Sequence, residues 1–263
     1  MNHHMHHSMI PLPINLLIMA GAGLLIVLYL HMMIMTNQQS RLRRWPMYRL
    51  IFWMAGIIIA ASAVVGPLAE MMHRSFIFHM YGHLMLGMFS PLLLVLSAPM
   101  TLMLRSLNVN RARQITKLLS SRYIQVVTHP VVAALLNVGG LWVLYRTSLY
   151  QLMHESVLIL LLVHLHIFLA GYLFTAAILY IDPIAHRYSF KYRAVVLLLA
   201  LAAHQVLSKS LYPYPPAGVE RAEAEVGAQV MYYGGDIIDY ILIFLLCLEW
   251  YRAIRPGKNL IKI

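Results

Sequence analysis

Six ionisable side chains fall inside runs that are otherwise apolar. His79 and His83 lie four residues apart in FIFHMYGHLMLGMFSP (76–91), His164 opens HLHIFLAGYLF (164–174), His204 follows LLLALAA, and Asp236 and Asp239 share GGDIIDYIL. Imidazole and carboxylate together suit zinc, iron or copper. Methionine moves the balance toward copper, because thioether is a soft donor for Cu(I), and Met71, Met72, Met80, Met85, Met88 and Met231 fall near the same residues. The chain also begins MNHHMHHSM. Its His3, His4, His6 and His7, interleaved with methionine, form a composition that reads as metal binding. Met71, Met72 and His73 stand at the edge of the same region and are expected, with that tract, to capture metal; His154 borders it too.

Spacing sorts these candidates. His79 and His83 are i, i+4 on one helical face, and Asp236 and Asp239 are i, i+3 on another. His164 and His166 are two apart and point to nearly opposite sides of a helix, so only one of them joins a common site, and His164 is expected to be that one. A single histidine in an apolar helix is commonly a helix–helix hydrogen bond, and methionine is ordinary core filler. Four histidines and two aspartates at one depth, roughly 5–10 Å below one surface at about 1.5 Å rise per residue, point instead to an ion, proton or cofactor site. The expected ligands are His79, His83, His164, His204 and Asp236, with Asp239 as ligand or orienting group. Copper is the preferred metal and zinc an alternative. Haem, held by two axial histidines on facing helices, is the rival cofactor and would make the chain an electron carrier; a metal- or proton-coupled transporter is a further rival.

The elements that must position these residues are membrane helices. A chain of 263 residues that is 61% hydrophobic and 11% charged is not a soluble globule. Seven apolar runs, about 12–35, 50–67, 76–98, 126–147, 157–180, 194–210 and 229–250, each approach the roughly 20 residues a spanning helix needs. The expected fold is therefore all-α: one seven-helix transmembrane domain over 1–263, with an extracellular His/Met tract at 1–11 and an extracellular loop at 212–228. Sixteen of the twenty Lys and Arg residues fall on one side if the amino terminus is outside. The positive-inside rule then places the carboxyl terminus in the cytoplasm. The net charge of +11 is a topology signal, not a nucleic-acid surface, and the expected environment is plasma-membrane lipid.

Pro91 and Pro99 are expected to kink or stop the third span, and the prolines of YPYPPAGVERAEAEVG (212–227) bar a continuous helix there, leaving its acidic part as a short helix or a mobile stretch. No His-Glu-x-x-His, G-x-S-x-G or phosphate-loop motif is present, so the chain is not expected to be an enzyme. The lone Cys247 permits no internal disulfide.

Four stretches resemble the polytopic CtaG family of cytochrome c oxidase assembly factors: HMYGHLMLGMFSPLLLVLSAPMTLMLRSL from His79, THPVVAALL (128–136), HLHIFLAGYLF (164–174) and GAQVMYYGGDIIDYILIFLLCLEWYR (227–252). Asp182-Pro183 also fits the family's inner loop. The resemblance implies help in maturing a haem-copper oxidase, with oxidase subunits as partners and copper as cargo. One departure stands out: where such proteins carry Trp-His-x-Pro after the fourth span, this chain reads LYRTSLY (144–150), with Tyr145 in the histidine's place. An altered site is implied, in which Arg146 pairs Asp236 or Asp239.

Overall fold

The structure is a computed structural model and describes residues 10–184 and 186–254; the tract containing His3, His4, His6 and His7 lies outside the described residues. Helices and their connections make up the described chain. They run α1 (Leu12–Asn37), α2 (Met47–Val64), α3 (Pro67–Arg74), α4 (Phe76–Leu84), α5 (Ser90–Leu96), α6 (Pro99–Ser106), α7 (Val109–Leu119) and α8 (Arg122–Val127). They continue as α9 (Pro130–Ala134), α10 (Gly140–Arg146), α11 (Leu149–Glu155), α12 (Val157–Ile178), α13 (Phe190–Ser210) and α14 (Arg221–Ile254). Short π turns, Met85–Phe89 and Leu135–Gly139, join α4 to α5 and α9 to α10.

Five helical stretches are long and apolar enough to cross a membrane: Leu12–Asn37, Met47–Val64, Phe76–Ser106, Val157–Ile178 and Phe190–Ser210. A sixth forms if Pro130–Arg146 and Leu149–Glu155 count as one span, although they meet at 77°. Pro130–Arg146 lies inside the expected fourth span, 126–147, and the 77° bend to α11 falls at the end of that run. Seven independent spans are not established by length and apolarity.

The two prolines of the third span act differently. Pro91 has no N–H to offer the carbonyl of Gly87, one turn earlier, and the helix widens into the π turn Met85–Phe89 instead of stopping. That wide turn presses the Gly87 carbonyl against α12, where a Cβ on Gly171 would collide with it; only glycine admits this approach. At Pro99 the helix does end, with Ala98 in the left-handed region at φ 53.

Contacts between loops define two ends. At one, Arg105 donates to the Arg43 carbonyl at 2.6 Å, Asp182 accepts from the Thr101 N–H at 2.8 Å, and Arg193 pairs with Glu249 at 2.9 Å. At the other, Glu223 accepts from the Phe76 N–H at 2.8 Å and from the Ser75 hydroxyl. A carboxylate there completes the open N-terminus of α4. The acidic part of the expected 212–228 loop is consequently the opening of α14, not a separate short helix. α14 packs along α4, and the core between them and α10–α13 is built from Phe76, Met80, Leu144, Met153, Leu160, Leu207 and Met231.

Candidate metal centre

His83 on α4 and His204 on α13 face each other in the bundle interior. Each is 5% exposed, and their ring centres are 6.1 Å apart with planes tilted by 30°. None of their four ring nitrogens has a hydrogen-bond partner. Native chains satisfy nearly all buried polar atoms, so four unpartnered nitrogens in one place are a site for a water or an ion. The two rings border a cavity of about 30 Å³ shared with Asp239, Asn137 and Met88, room for a water or an ion. Two imidazoles bound to one ion through bonds of about 2 Å place their ring centres roughly 5–6 Å apart, and the 6.1 Å of this pair stands at the wide end of that range. Gly235 on α14 makes the fit possible, since a Cβ there would sit 2.9 Å from the His204 ring.

The two aspartates part company. Asp239 is buried on this cavity, whereas Asp236 accepts a hydrogen bond from the Gln205 side chain. Arg146 pairs with neither, contrary to expectation. It reaches the Ser210 hydroxyl and, at 3.1 Å, the Tyr214 carbonyl, because the bend after α10 directs it along the bundle end rather than into it.

His79 is buried one turn from His83 but engaged elsewhere. Its Nε2 shares a 3.1 Å hydrogen bond with the Tyr145 hydroxyl, which also meets the Met80 sulfur at 3.8 Å. Tyr145, noted in the sequence as the odd residue of LYRTSLY, therefore occupies one nitrogen of an expected ligand.

His164 lies with a different group. The ring of His73 on α3 stands 6.1 Å from His164 and 6.2 Å from His154 on α11, nearly edge-on to both. His154 and His164 each present Nδ1 to the carbonyl four residues back, Tyr150 at 2.9 Å and Leu160 at 2.8 Å. A carbonyl only accepts, so Nδ1 carries the proton and Nε2 keeps its lone pair. His73 Nδ1 is buried and unpartnered. Burial first, then the neighbouring His164 and His154, hold the His73 pKa down to about 4, leaving it neutral at pH 7.

These groups line adjoining cavities. An open vestibule is bordered by His73, His154, Tyr150 and Glu223. His73 also borders a cavity of about 10 Å³ with Met72, His79, His83 and His164, and His83 borders the one beyond it with His204. Among the described residues no three His, Cys, Asp or Glu side chains stand close enough together to enclose one ion. Met72 lines the middle cavity, while Met71 is 44% exposed.

His166 is exposed and donates from Nε2 to the Leu136 carbonyl at 3.1 Å, inside the second π turn. A Cβ on Gly140 would collide with its ring, so His166 ties α12 to the broken span. His154, placed with His73 at the outer mouth from the sequence, lines the vestibule, whereas Asn137, a lone amide in an apolar run, lines the inner cavity and was missed.

Residues 27–253 match the model of the cytochrome c oxidase caa3 assembly factor family. The chain belongs to this family. The chain is also similar to an uncharacterized protein of Mycobacterium leprae (strain TN), 28% identical over 247 residues, covering 82% of this chain and 37% of the relative. Uncharacterized proteins of Mycobacterium bovis (strain ATCC BAA-935 / AF2122/97) and Mycobacterium tuberculosis (strain CDC 1551 / Oshkosh) are each 34% identical over 176 residues, covering 61% of this chain and 25% of theirs. The chain thus spans well under half the length of these curated relatives. No solved structure matches it.

Proposed function

We propose that this chain carries copper within the plasma membrane to a haem-copper cytochrome c oxidase under assembly, with His83 and His204 as its central donors. The observation that carries the reading is the buried pair of imidazoles, all four nitrogens unpartnered, on an ion-sized cavity. Asp239 supplies a carboxylate beside them, and Met88 and Met72 offer soft sulfur nearby, a donor set that favours copper over magnesium or calcium. Asp236, bonded to Gln205, orients α14 against α13 rather than binding the ion. Haem fits poorly: a ligand of its size takes roughly 300–1,000 Å³, against cavities of about 30 and 10 Å³. The protein's work is binding and transfer, not bond-making, with oxidase subunits as partners.

The membrane topology follows the same reading. α14 extends 34 residues, about 51 Å at 1.5 Å per residue, and serves as the seventh span with its two aspartates turned inward to α13 and the cavity. The end that holds Arg43, Arg105 and Arg193 is cytoplasmic by the positive-inside rule. The vestibule beside His73 and Glu223 then opens outside.

The test is oxidase maturation in cells lacking the chromosomal copy. Complementation with His83→Ala is expected to restore protein level in the membrane but not the copper content or activity of the oxidase. Full oxidase activity from that variant would refute the reading.

A further inference from the structure

Residues 107–129 contribute no buried side chain to the bundle. Asn108 caps α7 by accepting from the Arg111 N–H, and Ser121 caps α8 by accepting from the Ile124 N–H. α7 meets chiefly α6 and α8. Helices of eleven and six residues are marginal in water on their own, so the pair needs a surface to lie on. At about 100° per residue, Ala112, Ile115 and Leu119 fall along one face of α7, flanked by Val109 and Leu118, while Asn110, Arg113 and Lys117 fall opposite. Val109 and Leu118 are each 65% exposed, and Tyr123 on α8 is 76% exposed. Charge is one-sided too. Arg111, Arg113, Lys117 and Arg122 stand in a stretch with no carboxylate from 99 to 129. The ion pairs among the described residues, Arg74–Glu70, Arg193–Glu249 and Arg221–Glu225, include none of them. The place of the segment narrows its partner: it leaves the apolar stretch Phe76–Ser106 and enters Pro130–Arg146, so both its ends are held at the membrane edge.

We propose that α7 and α8 form a basic amphipathic arm on the membrane surface, with its apolar face in the lipid and its cations on anionic phospholipid headgroups. A helix of this kind sinks its apolar face about 5–10 Å into the boundary between headgroups and acyl chains. Lysine and arginine lay their stems along that boundary and keep their charge among the phosphates. Tyr123 suits the same depth, because its ring is apolar and its hydroxyl stays wet. Each cation close to an anionic leaflet strengthens attachment about fivefold, so the four together discriminate strongly between anionic and zwitterionic lipid. The inference rests on the membrane helices and is independent of copper.

The experiment uses the full, copper-free chain carrying Cys247→Ser, placed in nanodiscs of phosphatidylcholine alone or mixed with phosphatidylglycerol. A fluorophore is attached at Leu119→Cys on the apolar face of α7, or at Asn110→Cys on the opposite face. Quenching by a lipid that bears a nitroxide at headgroup level is then measured. The Leu119 label is expected to be quenched several-fold more strongly in the anionic discs. That difference should disappear near 1 M salt, where the screening length falls to about 3 Å. The Asn110 label is expected to be quenched less in both lipids, and Arg113→Gln with Lys117→Gln should remove most of the lipid dependence. Equal quenching of the Leu119 label in the two lipids, or a lipid difference that ignores salt, would overturn the proposal. So would a Leu119 label as open to water as the Asn110 label, the result expected if this face docks on a protein instead. Should the variant with fewer charges not accumulate in membranes, the salt dependence with all four cations present decides alone.

Discussion

Replacing His204 with Leu should make the metal-free protein more stable and the copper-loaded protein less so. A neutral imidazole carries one N–H donor and one lone pair, and at His204 both are buried without partners. Leaving a buried polar group unsatisfied costs about 1–3 kcal/mol, so removing two such groups gains roughly 2–6 kcal/mol. Imperfect fit of the branched leucine against α14, where Gly235 was placed for a flat ring, returns about 1–3 kcal/mol as overpacking. The net gain is about 2 kcal/mol, which for a chain of this size moves Tm by about 4–8 °C. Copper reverses the order. A ligand at a thousand times its Kd stabilises the protein that binds it by about 4.1 kcal/mol, and the Leu variant forgoes this. Thermal unfolding in detergent, with a chelator and then with excess Cu(I), measures both arms. A Leu variant that melts below wild type in chelator would show that the His204 nitrogens are satisfied in the folded protein, and the reasoning from orphaned imidazoles would fall.

Other outcomes are open to the same assays. Gly235→Ala should displace the His204 ring and weaken copper binding by at least tenfold, read by chelator competition; unchanged affinity would contradict the fit. His166→Ala removes a hydrogen bond to the Leu136 carbonyl and should cost about 1 kcal/mol of stability with copper stoichiometry intact; loss of an ion would make His166 a ligand. Because the folded His73 pKa of about 4 lies below its unfolded value near 6.5, the unfolded chain binds the extra proton between these values. Stability should therefore fall as pH drops from 6.5 toward 4. His73→Gln should flatten that part of the Tm–pH curve, and an unchanged slope would contradict the assignment.

Much of the architecture was legible because lipid imposes simple demands. Apolar runs of helical length survive as helices, and the close spacing of His79 and His83 does put both inside the bundle. Depth along a helix was equally readable, but rotation and pairing were not. Asp236 and Asp239 are one turn apart, yet one meets Gln205 and the other the cavity, a distinction set by how α14 rolls against α13. His164 shares a depth with His83 but faces α3, a two-turn helix whose docking no periodicity reveals. Tyr145 carried a signal by its position, although its hydrogen bond to His79 depends on the bend after α10. The consequence of Pro91 was only partly legible: a lost hydrogen bond predicts a kink, whereas the π turn that forms requires Gly171 on a helix eighty residues away.

The central claim is that His83 and His204 bind copper together. X-ray absorption at the copper edge, on protein with His3, His4, His6 and His7 replaced by Ala and loaded with one Cu(I), tests it most directly. Imidazole nitrogens at about 2 Å, with the outer-ring scattering of two histidines, are expected, and both should vanish from the spectrum when His83 and His204 are also replaced by Ala. Copper that remains bound with an unchanged histidine signature after those two substitutions would contradict the account.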